Sequence, residues 1–203
     1  MHEATSDARW ESLIRLLAPF SDQAMATARR LCRSRADGDD LFSETVVRAQ
    51  AKLMSLRDER KFRSWFYAVL LSVHRSRSRR AFWRRCMPIA DLVAAGRDPV
   101  GDDGRRGEEE HVRAERASRA LATLPAVQRE AVVLHDIDGF SMAEIAAMQG
   151  VTVSAVKTRV ARGRERLRAH YRRLGLAGPA AAPERTGAEP ALASSPPLGR
   201  VSS

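Results

Sequence analysis

Apolar residues recur at spacings of three and four along most of the chain, which is the period of an α-helix with one buried face. The strongest stripe contains Phe62, Trp65, Phe66, Val69, Leu70 and Val73. Three weaker stripes precede it, over 13–20, 24–32 and 42–53, and the third begins after the turn signal Asp37-Gly38. No segment alternates with a period of two. The pattern predicts an all-α first domain of four helices over residues 8–85.

The second half of the chain carries clear signals for helix ends. Pro125 suits a first helical turn, and Gly139 ends the helix that follows it. Ser141 and Glu144 have the spacing of a capping box, Gly150 allows a tight turn, and a long basic helix begins at Thr152 or Val153. A short helix, a glycine turn and a second helix predict a small helix-turn-helix domain over 112–173.

Two other segments lack the residues needed for a core. Residues 98–110 hold six acids and three glycines, and we expect a flexible acidic linker over 86–111. Residues 174–203 hold five of the nine prolines and no aromatic residue, which predicts a disordered tail. The expected fold class is therefore all-α, with two small helical domains joined by a flexible linker.

The charge of the chain narrows the class of partner. Its 35 basic and 25 acidic residues give a net charge of +10, which favours a nucleic acid or an acidic protein surface. Cys32 and Cys86 stand far apart with no Cys/His cluster, which argues against a disulfide framework and a zinc site. No apolar run approaches the roughly 20 residues of a membrane helix. We expect a soluble protein of the reducing cytoplasm that does not insert into membranes.

The second helix of the helix-turn-helix presents a polar face that suits a DNA major groove. If Val156 and Val160 pack on the first helix, the residues left outside include the best candidates for DNA contact. These candidates are Ser154, Lys157, Thr158, Arg159, Ala161 and Arg162. The alternative is an amphipathic hairpin whose basic face is only solvated.

A basic segment continues directly from the aromatic helix. Arginines beside aromatic rings are typical of single-stranded nucleic-acid sites, because every base has a π-face. Phe62, Trp65 and Phe66 are better explained as core, whereas Tyr67 lies off the stripe and remains a candidate.

An acidic cluster opens the third helix. Asp39, Asp40 and Glu44 could hold a metal for phosphoryl transfer, as in a nuclease, or could face a basic protein surface. We favour the protein surface. No set of residues has the pattern of a catalytic site, so we expect no enzyme activity, no cofactor and no metal.

Four ordered segments together resemble one family. They are Asp39-Asp40-Leu41-Phe42-Ser43-Glu44-Thr45-Val46-Val47-Arg48-Ala49, Phe62-Arg63-Ser64-Trp65-Phe66-Tyr67, Leu124-Pro125-Ala126-Val127-Gln128-Arg129-Glu130, and 141–167. In this order and spacing they are similar to the extracytoplasmic-function (ECF) sigma factors of bacterial RNA polymerase. The resemblance covers about residues 8–173.

The resemblance implies roles for the first domain, as sigma region 2. It implies that this domain binds the clamp coiled-coil of the largest subunit of core RNA polymerase and captures the minus-10 element of promoter DNA. The implied polymerase-binding residues are Asp40, Leu41, Glu44, Thr45 and Arg48. The implied minus-10 residues are Tyr67, Ser72, Arg75, Ser76 and Arg79. The chain departs from the family at Leu71-Ser72, where members commonly carry an Arg-Asn pair.

The resemblance also implies roles for the second domain, as sigma region 4. This domain would read the minus-35 element and contact the flap of the second-largest polymerase subunit, and an anti-sigma factor would hold the protein inactive.

Two alternative functions stay open. One is a stand-alone helix-turn-helix regulator that does not depend on core polymerase, and the other is a sigma-like decoy that binds an anti-sigma protein without touching DNA.

Overall fold

Four helices form the first domain, as the hydrophobic pattern predicts. The computed structural model describes residues 2–86 and 108–176, with the side chains of 7–80 and 112–176. The helices are α1 (His2–Leu17), α2 (Ser21–Leu31), α3 (Arg35–Lys52) and α4 (Phe62–Cys86). Short 3₁₀ turns at Ala18–Phe20, Leu53–Ser55 and Glu59–Lys61 join them. The strong aromatic stripe lies inside, with Phe62, Phe66 and Leu70 at most 2% exposed.

The third helix begins earlier than its sequence predicts. Ser34 caps it by accepting a hydrogen bond from the Asp37 backbone N–H at 3.1 Å, so Asp37-Gly38 lies within the helix and is not a turn. A Cβ atom on Gly38 would sit 2.5 Å from Arg29 Cα. Gly38 is therefore a point of close approach between α2 and α3, where a side chain would meet the backbone of α2.

The second domain contains four more helices. They are α5 (Glu108–Ala122), α6 (Ala126–Val132), α7 (Met142–Gln149) and α8 (Val153–Arg173), with a π-helical turn at Val133–Ile137. The described residues contain no strand, so the predicted all-α class is confirmed. Helix α5 begins inside the predicted linker, because Glu108 to Glu110 are helical and glutamate is a good helix former. The rest of the predicted linker and most of the predicted tail lie outside the described residues.

Arg129 on α6 connects the carbonyl ends of two helices. Its buried guanidinium donates to the carbonyl oxygens of Leu121, Ala122 and Leu124 at the end of α5, at 2.9 to 3.1 Å. A fourth hydrogen bond of 2.8 Å reaches the carbonyl of Leu31 at the end of α2. The last carbonyls of a helix have no partner within it, and Arg129 supplies one for both helices.

The two domains pack directly against each other. Helix α4 lies along α7, and α2 contacts α5, α6 and the π-helical turn. At the centre of this interface the rings of Tyr67 and Phe140 meet edge to face, with centroids 4.7 Å apart. One hydrophobic core therefore runs through both domains. Among the described helices, none is both long and apolar enough to cross a membrane.

Candidate nucleic-acid and partner surfaces

Local hydrogen bonds fix the helix-turn-helix geometry. The Ser141 hydroxyl accepts from the Glu144 backbone N–H, and the Glu144 carboxylate accepts from the Ser141 backbone N–H, which completes the predicted capping box. Gly150 ends α7 in a left-handed conformation with φ of +65°, and Thr152 caps α8. The local signals predicted each of these features.

The outer face of α8 is open to solvent. Val156 and Val160 are buried, at 0% and 2% exposure, on a helix that packs on α6 and α7. On the opposite face five of the six candidate residues are exposed, namely Ser154, Lys157, Thr158, Ala161 and Arg162. A helix that presents such a polar face beyond a tight turn has the geometry of a major-groove reader.

Arg159 is the exception among these candidates. It is only half-exposed, and its Nη1 donates to Gln149 Oε1 at 2.6 Å. In this structure the Arg159 guanidinium therefore binds the Gln149 side chain at the end of α7, and only part of Arg159 faces solvent.

The acidic face of α3 forms a shallow cleft with the basic part of α4. Asp40, Ser43 and Glu44 line one side, and Arg77 and Arg80 line the other. Arg77 Nη2 lies 3.6 Å from Asp40 Oδ2, and Arg80 Nη2 lies 3.7 Å from Glu44 Oε1. Arg48 also pairs with Glu44, at 3.0 Å. Asp40, Glu44 and Arg48 thus belong to one accessible charged surface.

Two other candidates on α3 lie beneath this surface. Leu41 and Thr45 are both 0% exposed, and the Thr45 hydroxyl donates to the Leu41 carbonyl at 2.7 Å. This burial does not agree with a direct role in contacting a partner. With Ala49 they form the core stripe of the helix, which the sequence pattern had assigned to Phe42, Val46, Ala49 and Leu53.

The five candidates on α4 divide between two faces. Ser72 and Arg79 are exposed and Ser76 is half-exposed, at the spacing of one helix face. Tyr67 and Arg75 lie on the other face, which packs on the second domain. Tyr67 is 0% exposed, and burial, together with the nearby Asp138 carboxylate, raises the pKa of its hydroxyl to about 12.

Glu130 on α6 is the acceptor that holds Arg75. Its carboxylate is fully buried and accepts from Arg75 Nη2 at 2.8 Å and from Gln149 Nε2 at 3.2 Å, while His74 Nδ1 lies 3.1 Å away. Burial acts to raise the pKa of Glu130, but the hydrogen bonds from His74 and Arg75 outweigh it and hold that pKa below its usual value.

Asp138 occupies a second polar site between the domains. It is 5% exposed, and Thr27 Oγ1 lies 2.9 Å from both of its carboxylate oxygens. Burial raises the pKa of Asp138, and the hydrogen bonds from Thr27 and Gln23 only partly oppose that effect. Neither Glu130 nor Asp138 is predictable as an interface residue from the sequence, since no local pattern marks an acid for a partner in another domain.

Comparison with known proteins identifies the two domains. The family model for sigma-70 region 2 matches residues 16–84, and the model for sigma-70 region 4 matches residues 114–167. The ECF RNA polymerase sigma factor SigM of Mycobacterium tuberculosis is 35% identical over 69% of this chain and 67% of its own length. The ECF sigma factor EcfG of Rhodopseudomonas palustris is 34% identical over 64% of this chain and 69% of its own length.

A solved structure supports the same assignment. The sigma factor RpoE of Bartonella quintana, in complex with the anti-sigma factor NepR, matches with a TM-score of 0.57 and 25% identity. The match covers 78% of this chain and 96% of that chain. The chain therefore belongs to the extracytoplasmic-function sigma factors, and it directs promoter-specific transcription. A stand-alone helix-turn-helix regulator is not favoured, because the region 2 model matches most of the first domain.

Proposed function

We propose that this sigma factor binds core RNA polymerase through the charged surface of α3 and reads two promoter elements with α4 and α8. Asp40, Glu44 and Arg48 would contact the clamp coiled-coil of the largest subunit, while the second domain would contact the flap of the second-largest subunit. These contacts would place the chain in the cytoplasm, with no catalytic chemistry of its own.

The observation that carries this proposal is the exposed polar face of α8. Lys157, Thr158 and Arg162 project from a helix whose angle is set by the capping box and by the turn at Gly150. Lysine and arginine pair with guanine edges in the major groove, and a threonine hydroxyl can serve as donor or acceptor. We assign this face to the minus-35 element.

We assign recognition of the minus-10 element to α4. Ser72, Ser76 and Arg79 offer an accessible face, and Tyr67 and Arg75 would join them once the second domain has moved away. A base taken out of the stack costs a few kcal/mol, which stacking and cationic contacts must offset. Because the matched Bartonella structure contains an anti-sigma factor, we also propose that an anti-sigma partner binds this chain.

Co-elution with core polymerase tests the α3 surface. The purified chain should elute with bacterial core RNA polymerase in size-exclusion chromatography, and a primary sigma factor should displace it. The double variant Asp40→Lys/Glu44→Lys should lose this binding while its circular dichroism stays helical. Glu11→Lys/Asp22→Lys makes the same change of charge at two exposed positions and should bind normally. Equal binding by both double variants would place the interface elsewhere.

Promoter discrimination tests the α8 face. On a promoter selected from a randomised library by the reconstituted holoenzyme, Arg162→Ala should weaken recognition by about 1–3 kcal/mol if Arg162 contacts a base. Arg172→Ala, an exposed position near the end of the same helix, should change discrimination far less. If Arg162→Ala is equally active with an intact and a scrambled upstream element, the assignment fails.

A further inference from the structure

Helix α8 is buried along one narrow stripe, which packs mainly on α6 and α7. The stripe consists of Val156, Val160, Gly163 and Leu167. At Gly163 the α8 backbone lies directly against α6, since a Cβ atom there would be 2.5 Å from Val132 Cγ2. Burial of apolar surface is non-directional. This packing therefore sets the distance between α8 and α6 more closely than it sets the rotation of α8 about its own axis.

Two arginines flank the buried stripe, one on each side. At about 100° per residue, Arg159 and Arg164 lie roughly 70° to either side of the centre of the stripe. The exposed candidates for DNA contact, among them Lys157 and Arg162, are centred on the opposite face of the helix. The contacts of the two arginines can therefore determine which way that face points.

On one side of the stripe, the end of α7 holds Arg159. The guanidinium of Arg159 donates to Gln149 Oε1 at 2.6 Å, and Gln149 is only 6% exposed. The side-chain amide of Gln149 donates in turn to the Glu130 carboxylate of α6 at 3.2 Å. This anchor thus reaches from α8 through α7 to α6.

On the other side of the stripe, the π-helical turn holds Arg164. Its Nε and Nη2 donate to the two carboxylate oxygens of Asp136, at 3.0 and 2.6 Å. The two side chains are 27% and 20% exposed, so salt screens the pair less than it screens an open surface pair. Two N–H···O bonds between a planar guanidinium and a carboxylate restrict orientation as well as distance. The turn itself is closed by a 3.0 Å hydrogen bond from the Asp138 backbone N–H to the Val133 carbonyl.

We propose that Asp136 is a positioning residue for DNA reading: its pair with Arg164 fixes the rotation of α8, and with it the side chains that face the minus-35 element. Arg159 and Gln149 supply the opposing contact, so rotation in either direction would break one of two anchors. Binding groups must be held within about 10–20° of their working orientation. A modest rotation is therefore enough to lose a base contact.

The inference rests on the proposed function of α8, and it assigns Arg164 to the protein. Arginines beside a reading face often contact DNA phosphates instead. The two roles predict different results for the same substitutions, so they can be separated in the complete holoenzyme.

Promoter discrimination by Asp136→Ala tests the positioning role. The reconstituted holoenzyme transcribes the selected promoter with its upstream element intact or scrambled, at saturating sigma factor, and the ratio of the two activities is measured. We expect Asp136→Ala to lower this ratio about tenfold, as when one base contact is lost. The matched control is Glu115→Ala, which breaks an ion pair with Arg119 inside α5 and should leave the ratio unchanged.

The variant Arg164→Lys distinguishes positioning from a phosphate contact. Lysine keeps the positive charge but cannot form the two parallel hydrogen bonds. If Arg164 positions α8, Arg164→Lys should lose discrimination as Asp136→Ala does. If Arg164 contacts a phosphate, Arg164→Lys should keep most of the discrimination, and Asp136→Ala should bind promoter DNA more tightly because it releases the guanidinium. Either of these two results would overturn the inference.

A double variant gives a readout that a purely structural role would not change. If α8 has rotated in Asp136→Ala, Arg162 no longer faces its base, so adding Arg162→Ala should lower the ratio little further. Independent, additive losses would contradict positioning. Urea unfolding shows whether each variant is folded at the assay temperature. Where Asp136→Ala is not, Asp136→Asn keeps the size of the side chain and one acceptor oxygen, and the same loss of discrimination is expected.

The parent holoenzyme separates failure of the inference from failure of the proposed function. If the parent does not distinguish the intact from the scrambled element, the assignment of α8 fails, and the inference fails with it. If the parent discriminates and Asp136→Ala discriminates equally well, only the positioning role is refuted. An equal loss in Glu115→Ala would also refute that role, because the loss would then follow from any broken ion pair in the domain.

Discussion

Replacing Arg129 should destabilise the protein more than replacing any exposed arginine. Arg129 is 7% exposed, and its guanidinium donates to four carbonyl oxygens, three at or just after the end of α5 and one at the end of α2. Arg129→Met keeps much of the apolar volume but removes the donor of the Leu31, Ala122 and Leu124 carbonyls, whereas the Leu121 carbonyl still accepts from the Leu124 backbone N–H at 3.1 Å. The informative quantity is the change in the free energy of unfolding.

The magnitude follows from two opposing effects. Hydrogen bonds to a charged group contribute about 1.5–3 kcal/mol each, so four amount to roughly 6–12 kcal/mol before any cost is subtracted. Burial of the guanidinium opposes this gain by several kcal/mol, and the same burial lowers the pKa of Arg129. We expect Arg129→Met to lose about 3–5 kcal/mol, a large fraction of the 5–15 kcal/mol typical of a folded protein.

Urea unfolding followed by far-UV circular dichroism measures this loss. Arg116→Met, at an exposed position of α5, is the matched control and should stay within about 0.5 kcal/mol of the parent. Because Arg129 also holds the Leu31 carbonyl, the unfolding transition seen by tryptophan fluorescence of the first domain should move as well. A loss below about 1 kcal/mol for Arg129→Met would refute the reasoning, since three carbonyls that lose their donor, at about 1–3 kcal/mol for each buried unsatisfied group, cannot cost so little.

Three further predictions concern single positions. Gly38→Ala should destabilise the protein by about 1–3 kcal/mol in urea unfolding, because the new Cβ would meet backbone atoms of Arg29. This loss should exceed the gain of about 1 kcal/mol that alanine brings to a helix. A variant more stable than the parent would contradict the close approach of the two helices. Burial, helped by the charge of Asp37, raises the pKa of the Cys32 thiol to about 11. In a Cys86→Ser chain, the reaction of Cys32 with a disulfide reagent should therefore be slow at neutral pH. Its rate should rise about tenfold per pH unit up to pH 11, because only the thiolate reacts. A rate that does not depend on pH would refute this. Ser141→Ala should cost about 1 kcal/mol by removing the cap of α7, and an unchanged midpoint of unfolding would show that the cap is dispensable.

Local chemistry made the helix-turn-helix predictable from the sequence. A capping box, a left-handed glycine and an N-cap threonine each act within a few residues, so sequence spacing contains the whole signal. The same holds for the aromatic stripe of α4. The stripe is apolar at each of its positions, which marks one buried face, whereas the second buried face, which contains Tyr67, was not predicted.

Tertiary contacts explain where the sequence interpretation was wrong. Gly38 has the local signature of a turn, and only the approach of α2 explains its place inside a helix. On α3, the predicted stripe through Phe42 and the observed stripe through Leu41 lie one residue apart. The stripe through Leu41 is the more deeply buried, and the Thr45 hydroxyl in it donates to the Leu41 carbonyl.

The interface between the domains lay beyond sequence reasoning for a different reason. His74 and Glu130 are 56 residues apart, and Thr27 and Asp138 are 111 residues apart. No periodicity relates residues at such separations. The sequence predicted two helical domains, but it did not predict which of their faces would meet.

Because of the π-helical turn at Val133–Ile137, the number of residues in this short segment helps to determine how the two domains pack. A π turn holds one more residue than an α-helical turn, and each residue rotates a helix by about 100°. Deleting a single residue there would let α6 continue as a regular helix and turn the loop bearing Asp138 away from α2, although every interface side chain would still be present. In this protein the pairing of the domains therefore depends on a residue count as well as on residue identity, and natural insertions or deletions in this short segment would alter it without any substitution.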